Sequence, residues 1–327
     1  MKKLTAFLVG IFTILSLAAC NVGQAPSQSL PQADAIIKTA AKLGIYTHAA
    51  ETGSATTMQL KKQSINNDAA DVFTAETPQA LENGELQLLA ANVPNDDAAS
   101  EITQFARKKD LPLLFYGAKP NDEILNSWDK IRFVGAGPKE KGTVLGEIAL
   151  KLWDSNTALD KNNDGVMQYI LLDDGSGSAE FAAEVIEQAG VKTSLLAQRL
   201  EVKEAAEAAE CLRDVFSSQQ SQPEMLFCVG DTAVTGAVMA VQGEGFENGE
   251  IPIAAWGESA VMKKLADSGV IAGVGIPDSE TEAAILLSMT ANAAEQRDLL
   301  DGLSVDYDPV ERIIPVPCRI YEGKVFR

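Results

Sequence analysis

Met225-Leu-Phe-Cys-Val229, then Gly230, then Asp231-Thr-Ala-Val-Thr-Gly-Ala-Val-Met-Ala-Val241 sets the grammar of this chain. A short, unbroken apolar run bounded by glycine reads as a strand buried on both faces. The run after it opens on an acidic residue and spaces its apolar side chains at helical intervals, so it reads as a helix. Working outward, the same unit recurs. Lys203 to Phe216 reads as a helix before it. Ile251 to Trp256 (strand), Glu258 to Ala266 (helix), Val270 to Gly275 (strand) and Asp278 to Asp298 (long helix) follow it. Met167 to Leu172 and Ala179 to Ala189 form a strand and helix upstream. Asp231, Glu258 and Asp278 are the expected helix caps.

The first half obeys the same rule. Strands are expected over Lys42 to His48, Ala70 to Ala75, Leu86 to Asn92, Leu111 to Gly117 and Ile131 to Gly135. Helices are expected over Thr57 to Ile65, Ala98 to Lys109 and Lys139 to Asp154, and Ile313 to Cys318 and Arg319 to Phe326 close the chain as extended pieces. Alternation of this kind predicts an α/β fold with doubly wound parallel sheets, and its length suits two lobes, each with a core. Open sheets of this class bind ligands beyond the carboxyl ends of their strands. That directs attention to His48, Asn92, Gly117, Asp173, Gly230, Trp256 and Ile276.

The N-terminus follows a secretion plan. Lys2 and Lys3 precede an apolar run from Leu4 to Leu17, then Ala18, Ala19 and Cys20. Residues 1–19 read as a signal peptide of the lipoprotein type, with Cys20 as the lipidation site. The Pro- and Ser-bearing residues 20–34 read as a flexible tether. The expected localisation is a lipid anchor on the cell membrane, facing the periplasm or cell exterior. The formal charge of -19 excludes nucleic acid as a partner, because a phosphate backbone calls for a basic surface. Cys211, Cys228 and Cys318 have no metal or redox spacing and read as reduced thiols. A single histidine, no nucleophile elbow and no phosphate loop argue against an enzyme and leave no catalytic residue to name.

The sharpest local motif is Asp160-Lys-Asn162-Asn-Asp164-Gly165-Val166-Met-Gln168. Side-chain oxygens fall at loop positions one, three, five and nine, glycine at six where the chain turns, and the Val166 carbonyl at seven. This is the EF-hand plan for Ca2+, a hard cation that takes six to eight oxygens. The plan lacks its twelfth-position Glu, which is Leu171 here, and a strand follows where an EF-hand has a helix. A carboxylate must arrive from elsewhere.

With that loop and strand, the chain resembles the galactose/glucose-binding protein family, type I periplasmic solute-binding proteins of ABC sugar transporters. Leu111-Pro-Leu-Leu-Phe-Tyr-Gly117 resembles the family's strand into the sugar pocket. Trp128 to Gly135 with Lys139 to Gly142 resembles its first interlobe crossing. Ile251-Pro252 and Ser268 to Gly273 resemble its later strands. The resemblance covers most of the chain after Cys20.

It implies an N-terminal lobe of residues 35–136 and 278–314 and a C-terminal lobe of 137–277 and 315–327. Three hinge crossings would lie near Val134 to Pro138, Ile276 to Asp278 and Pro315 to Cys318. It also places the remote calcium carboxylate at Glu224, completing a structural Ca2+ set of Asp160, Asn162, Asp164, Val166, Gln168 and Glu224. The family's sugar contacts do not carry over. Its pocket polar residues fall on Gly117, Gly230, Gly257 and Pro277, and a stacking Trp falls near Lys203.

The remaining ligand candidates are Trp256, Asp174, Ser176, Asp231, His48 and Glu51. For Trp256 the alternatives are stacking on a flat ligand or filling the core, and for Asp231 a helix cap. The expected function is a monomeric solute-binding lipoprotein that closes on a small polar, sugar-like solute and delivers it to an ABC transporter permease. The alternative is a non-transport interaction lipoprotein on the same scaffold, with a cleft that no longer holds hexose.

Overall fold

The computed structural model describes residues 41–47, 54–67, 71–82, 85–156, 159–218 and 222–326. Cys20, His48 and Glu51, and the segments assigned to signal peptide and tether, lie outside them.

In the first half the chain forms β1 (Lys42–Thr47), α1 (Ala55–Asn67), β2 (Asp71–Ala75), β3 (Leu88–Asn92), α2 (Asp96–Lys109), β4 (Leu113–Phe115), α3 (Asp122–Asn126) and β5 (Ile131–Gly135). In the second it forms α4 (Pro138–Ser155), β6 (Val166–Leu172), α5 (Ser178–Gln188), β7 (Lys192–Arg199), α6 (Ala205–Ser218), β8 (Met225–Val229), α7 (Asp231–Gly243), β9 (Ile253–Trp256), α8 (Ala260–Ser268) and β10 (Gly273–Pro277). It ends in α9 (Ser279–Ala294), β11 (Ile313–Pro315) and β12 (Cys318–Glu322).

These strands build two six-stranded sheets, β11-β5-β4-β3-β1-β2 and β12-β10-β9-β8-β6-β7. The first is parallel throughout. The second is parallel except for β12, which runs antiparallel to β10. Each sheet reverses its winding once, between β1 and β3 and between β6 and β8, which is where such sheets open a ligand crevice. The central strands are buried on both faces, as their unbroken apolar runs predict: every residue of β3, β4 and β8 is buried. The chain passes between the sheets after β5, after β10 and between β11 and β12. Each lobe is a doubly wound α/β layer with helices on both faces.

Several boundaries differ from the expectations, each for a local reason. The extended run at Ile313 to Cys318 is divided: β11 pairs with β5 in the first sheet, and β12 starts at Cys318 in the second. Val270 and Ile271 do not start a strand, because their amides close the end of α8 on Leu265 O after Gly269 turns left-handed. The edge strand β7 has no sequence counterpart. Its residues are half-buried or exposed, so its apolar pattern is weak. The short helix α3 was equally invisible. Asp278 caps α9 by accepting from the Glu280 and Thr281 amides at 3.1 and 3.4 Å. Asp231 is the first helical residue of α7, which follows Gly230 and has no side-chain cap. Ser259, not Glu258, caps α8.

Candidate functional site

The loop that leads from α4 into β6 folds around its own oxygens. Asp160 accepts the amides of Asp164 (3.0 Å) and Gly165 (2.9 Å), and Asn162 Oδ1 accepts the Asp164 amide at 3.0 Å. Such a tight loop needs left-handed backbone, which it finds at Asn163 (φ 56°) and Gly165 (φ 70°). Asp164 accepts from the Val166 amide (2.8 Å) and from the side-chain amides of Asn162 (2.8 Å) and Gln168 (2.9 Å).

Glu224 enters from the residue before β8. It accepts the Lys161 amide at 2.7 Å and the Gln168 amide at 3.0 Å, and it is 1% exposed. Burial pushes its carboxyl above the usual range. The two amide bonds oppose that rise, and the charges of Asp160 and Asp164 add to it. So residues 56 or more positions apart in the chain become one hydrogen-bonded cluster of hard oxygen donors. The donor set has the chemistry of a calcium site. The Asn162 and Gln168 side-chain amides must turn over to offer oxygen rather than nitrogen, and among the described residues no three His, Cys, Asp or Glu side chains are gathered into a finished cage. Calcium, when bound, would supply positive charge that ties the loop to β6 and β8; Asp160, Asp164, Glu224, Asn162, Gln168 and the Val166 carbonyl would hold it.

A second candidate lies between the lobes, at the carboxyl ends of β3, β4 and β9. It is a cavity of about 720 Å³ lined by Thr56, Met58, Asn92, Tyr116 and Gly117 of the first lobe and Glu258, Ser259 and Lys263 of the second. Its first-lobe wall is held from beneath. Thr56 Oγ1 donates to the buried Glu282 of α9, and Thr57 Oγ1 and Tyr116 Oη share a bond of 2.7 Å. Glu282 is 1% exposed, and burial raises its carboxyl to about 8, against the bonds from Thr56 and the Gly117 backbone and with the charges of Glu258 and Asp278. A Cβ on Gly117 would stand 2.7 Å from Asn92 Oδ1, so glycine there leaves room for the Asn92 side chain.

Of the sequence-derived ligand candidates, Trp256, Asp174, Ser176 and Asp231 are described, and none of them is among the residues that line this cavity. Trp256 ends β9 in the core, 8% exposed, against Gly275 on one side and with Lys141 Nζ 5.6 Å from its ring centroid. Of its two readings, the structure favours the core. Asp174 lies beside Gly230, and Asp231 beside Gly257. Ser176 lines another cavity, of about 700 Å³, with Lys139, Glu180 and Phe181 of the second lobe and Tyr307 and Asp308 of the first.

The loop that carries Asp174 and Ser176 is set by Asp173, which the sequence did not single out beyond its place at a strand end. Fully buried, it accepts amides from Gly175 (2.9 Å), Gly177 (3.0 Å) and Ala179 (2.8 Å). Thr56, Tyr116 and Glu282 were also missed. The Thr56–Glu282 bond spans 226 residues, and no local pattern announces such a pair.

The model of the periplasmic binding protein domain matches residues 29–298. The chain belongs to that family. Periplasmic binding domains of this kind are binding proteins rather than enzymes, and the two sheets with alternating helices described above are their type I fold. This periplasmic binding protein is 26% identical over 264 residues to the D-galactose/methyl-galactoside binding periplasmic protein MglB of Haemophilus influenzae, covering 78% of this chain and 75% of that one. Among solved structures it is similar to AraP, an arabinose binding protein from Geobacillus stearothermophilus (TM-score 0.63, 11% identity, 87% of this chain and 97% of that one). It is also similar to an ABC transporter periplasmic solute binding protein from Actinobacillus succinogenes with bound D-allose (TM-score 0.58, 11% identity, 86% and 97%). At such identities these neighbours establish the fold alone.

Proposed function

We propose that this periplasmic binding protein is a membrane-anchored, extracytoplasmic receptor that captures a small polyhydroxylated solute between its lobes and delivers it to an ABC importer. The observation that carries this reading is the cavity at the strand ends, walled by both lobes and lined by Asn92, Tyr116, Thr56, Glu258 and Ser259. A polar, partly buried cleft at the carboxyl ends of two parallel sheets is where such folds bind solutes, and closure of two lobes about their crossings is how they hold them. The relatives whose names mention galactose, arabinose and allose support a sugar as the class. The Leu17-Ala-Ala-Cys20 signal supports the anchor. The Asp160–Gln168 loop with Glu224 supports a structural Ca2+, which would stabilise the C-terminal lobe by binding only its folded state.

The test is a melting-temperature screen of the mature chain against D-galactose, D-glucose, L-arabinose, D-allose, D-ribose and myo-inositol at millimolar concentration. A rise of several degrees with one of them, accompanied by a smaller radius of gyration in X-ray scattering, is the expected result. Silence across the panel would defeat the transport reading. In the same assay, chelator should lower the melting temperature of the wild-type chain and leave Glu224→Gln unchanged. No chelator effect on the wild type defeats the calcium claim.

A specific observation favours a second reading. A Cβ on Gly257 would meet Met262 Sδ at 2.6 Å, and one on Gly117 would meet Asn92. Two of the positions where the resembled family carries sugar-binding side chains, Gly117 and Gly257, are therefore glycines whose space is taken by neighbours. A cleft remade in this way suits a protein-contact role on the same scaffold, the reading that silence across the sugar panel would favour.

A further inference from the structure

Glu282 stands in the first turns of α9, just past the second crossing between the lobes, and is 1% exposed. Both groups bonded to its carboxyl belong to the wall of the interlobe cavity. Thr56 Oγ1 donates to it, and so does the Gly117 backbone amide. Thr56 and Gly117 line the cavity from the first lobe, and Glu258 lines it from the second. A titratable carboxyl therefore lies one residue behind the surface that would meet a solute. Its other described surroundings are apolar, neutral or acidic. The strands under α9 present Leu43, Ile45, Leu88 and Val134. From α1, Gln59 and Gln63 bond Glu280 on the outer side, and helical spacing turns Lys61 and Lys62 off that face. Asp278 caps the same helix, and the third crossing brings Cys318, whose thiol is pushed up by burial first and by carboxyls that include Glu282. Lys263 lines the cavity from α8, with its ammonium 6.0 Å from the Tyr321 ring centroid.

We propose that Glu282 couples solute capture to a proton: when the lobes close on a solute, its carboxylate takes up a proton from solvent, so the protein holds its solute more tightly in more acidic surroundings. This rests on the solute-capture reading of the cleft. Two effects drive the uptake. A solute expels the water that wets Thr56 and Gly117, which deepens the burial of the charged form. Closure also carries Glu258, a like charge, towards Glu282 from the other lobe. Burial already raises the carboxyl to about 8, with the charges of Glu258 and Asp278 adding to the rise, so the group titrates close to neutral pH. Once protonated, the carboxyl can donate to Thr56 Oγ1 instead of accepting from it, which frees the threonine hydrogen for a solute oxygen. Linkage is reciprocal: if binding favours the proton, the proton favours binding. The added affinity is full below the free chain's value and is lost as pH rises through the bound chain's.

The experiment is titration calorimetry of the mature chain with the six sugars of the melting screen, D-galactose first. It is run at pH 6 and pH 9, and at pH 8 in two buffers of different ionisation enthalpy, which counts protons taken up. The wild type should show net proton uptake and an affinity about fivefold weaker at pH 9 than at pH 6, the change expected when binding raises one carboxyl from about 8 by one pH unit. Glu282→Gln should bind with no uptake and equal affinity at both pH values. Glu258→Gln, on the exposed cavity rim, is the second variant should the first misfold, and its pH dependence should be smaller than that of the wild type. A carboxyl with a purely structural role would make melting depend on pH but leave the proton count of binding at zero. Binding by the wild type without proton uptake, or a wild-type pH dependence in either variant, would overturn the proposal and leave solute capture standing. No binding of any of the six sugars at either pH would overturn both.

Discussion

Glu282 is a carboxyl whose chemistry departs far from its ordinary behaviour. It belongs to α9 and is buried against Thr56 and Gly117, with its titration raised from 4.5 to about 8 by burial. The unfolded chain gives up this proton near 4.5 and the folded chain keeps it, so the contribution of Glu282 to stability is full below that pH. It is lost as pH rises to about 8, by up to ~1.4 kcal/mol per pH unit. Glu282→Gln should remove that slope: melting curves at pH 5 and pH 8 should differ less for the variant than for the wild type. An equal pH dependence in both chains would place the charge elsewhere. Asn92 makes the complementary prediction for affinity. Its side chain is 3% exposed and lines the interlobe cavity. Removing one buried hydrogen-bonding partner of a solute costs about 1–3 kcal/mol, so Asn92→Ala should weaken binding of the preferred solute by roughly tenfold to a hundredfold in titration calorimetry, with little change in melting temperature.

Two helix pairs of the C-terminal lobe depend on glycine at their contacts. Gly142 of α4 sits so close to α5 that a Cβ would lie 2.3 Å from Phe181 Cβ and 2.4 Å from Ser178 O. One turn on, Gly146 faces Ala182 and Val185 in the same way, and Gly236 of α7 faces Ala205 and Ala208 of α6. Glycine ordinarily weakens a helix interior relative to alanine. Here the close approach reverses that sign. Gly142→Ala should destabilise the chain by about 2–3 kcal/mol in urea unfolding, the usual cost of forcing a methyl group into a filled contact. A neutral or stabilising result would mean that the two helices can separate freely. Lys203 to Phe216 and Asp231 to Val241 were each legible as helices, whereas their packing against one another was not. Helical periodicity reveals which face is apolar, not which other face it meets.

For the whole molecule, the anchor and the two lobes are separate matters. Cys20→Ala should move the protein from the membrane fraction to the soluble fraction without altering its melting temperature, because the tether has almost nothing to bury. Persistence in the membrane fraction would refute the lipid anchor. The α/β class, the alternation of buried strands with helices and the oxygen spacing of the Asp160–Gln168 loop were all legible in the residues alone. All of these are local, set by periodicity, capping and spacing within a few turns of chain. Tertiary structure decided the rest. It divided Ile313 to Cys318 between two sheets, placed Trp256 in the core under Lys141, and set Glu282 beneath Thr56. Those outcomes hang on contacts between residues dozens to hundreds of positions apart, formed when two sheets share one chain, and no short-range pattern encodes them.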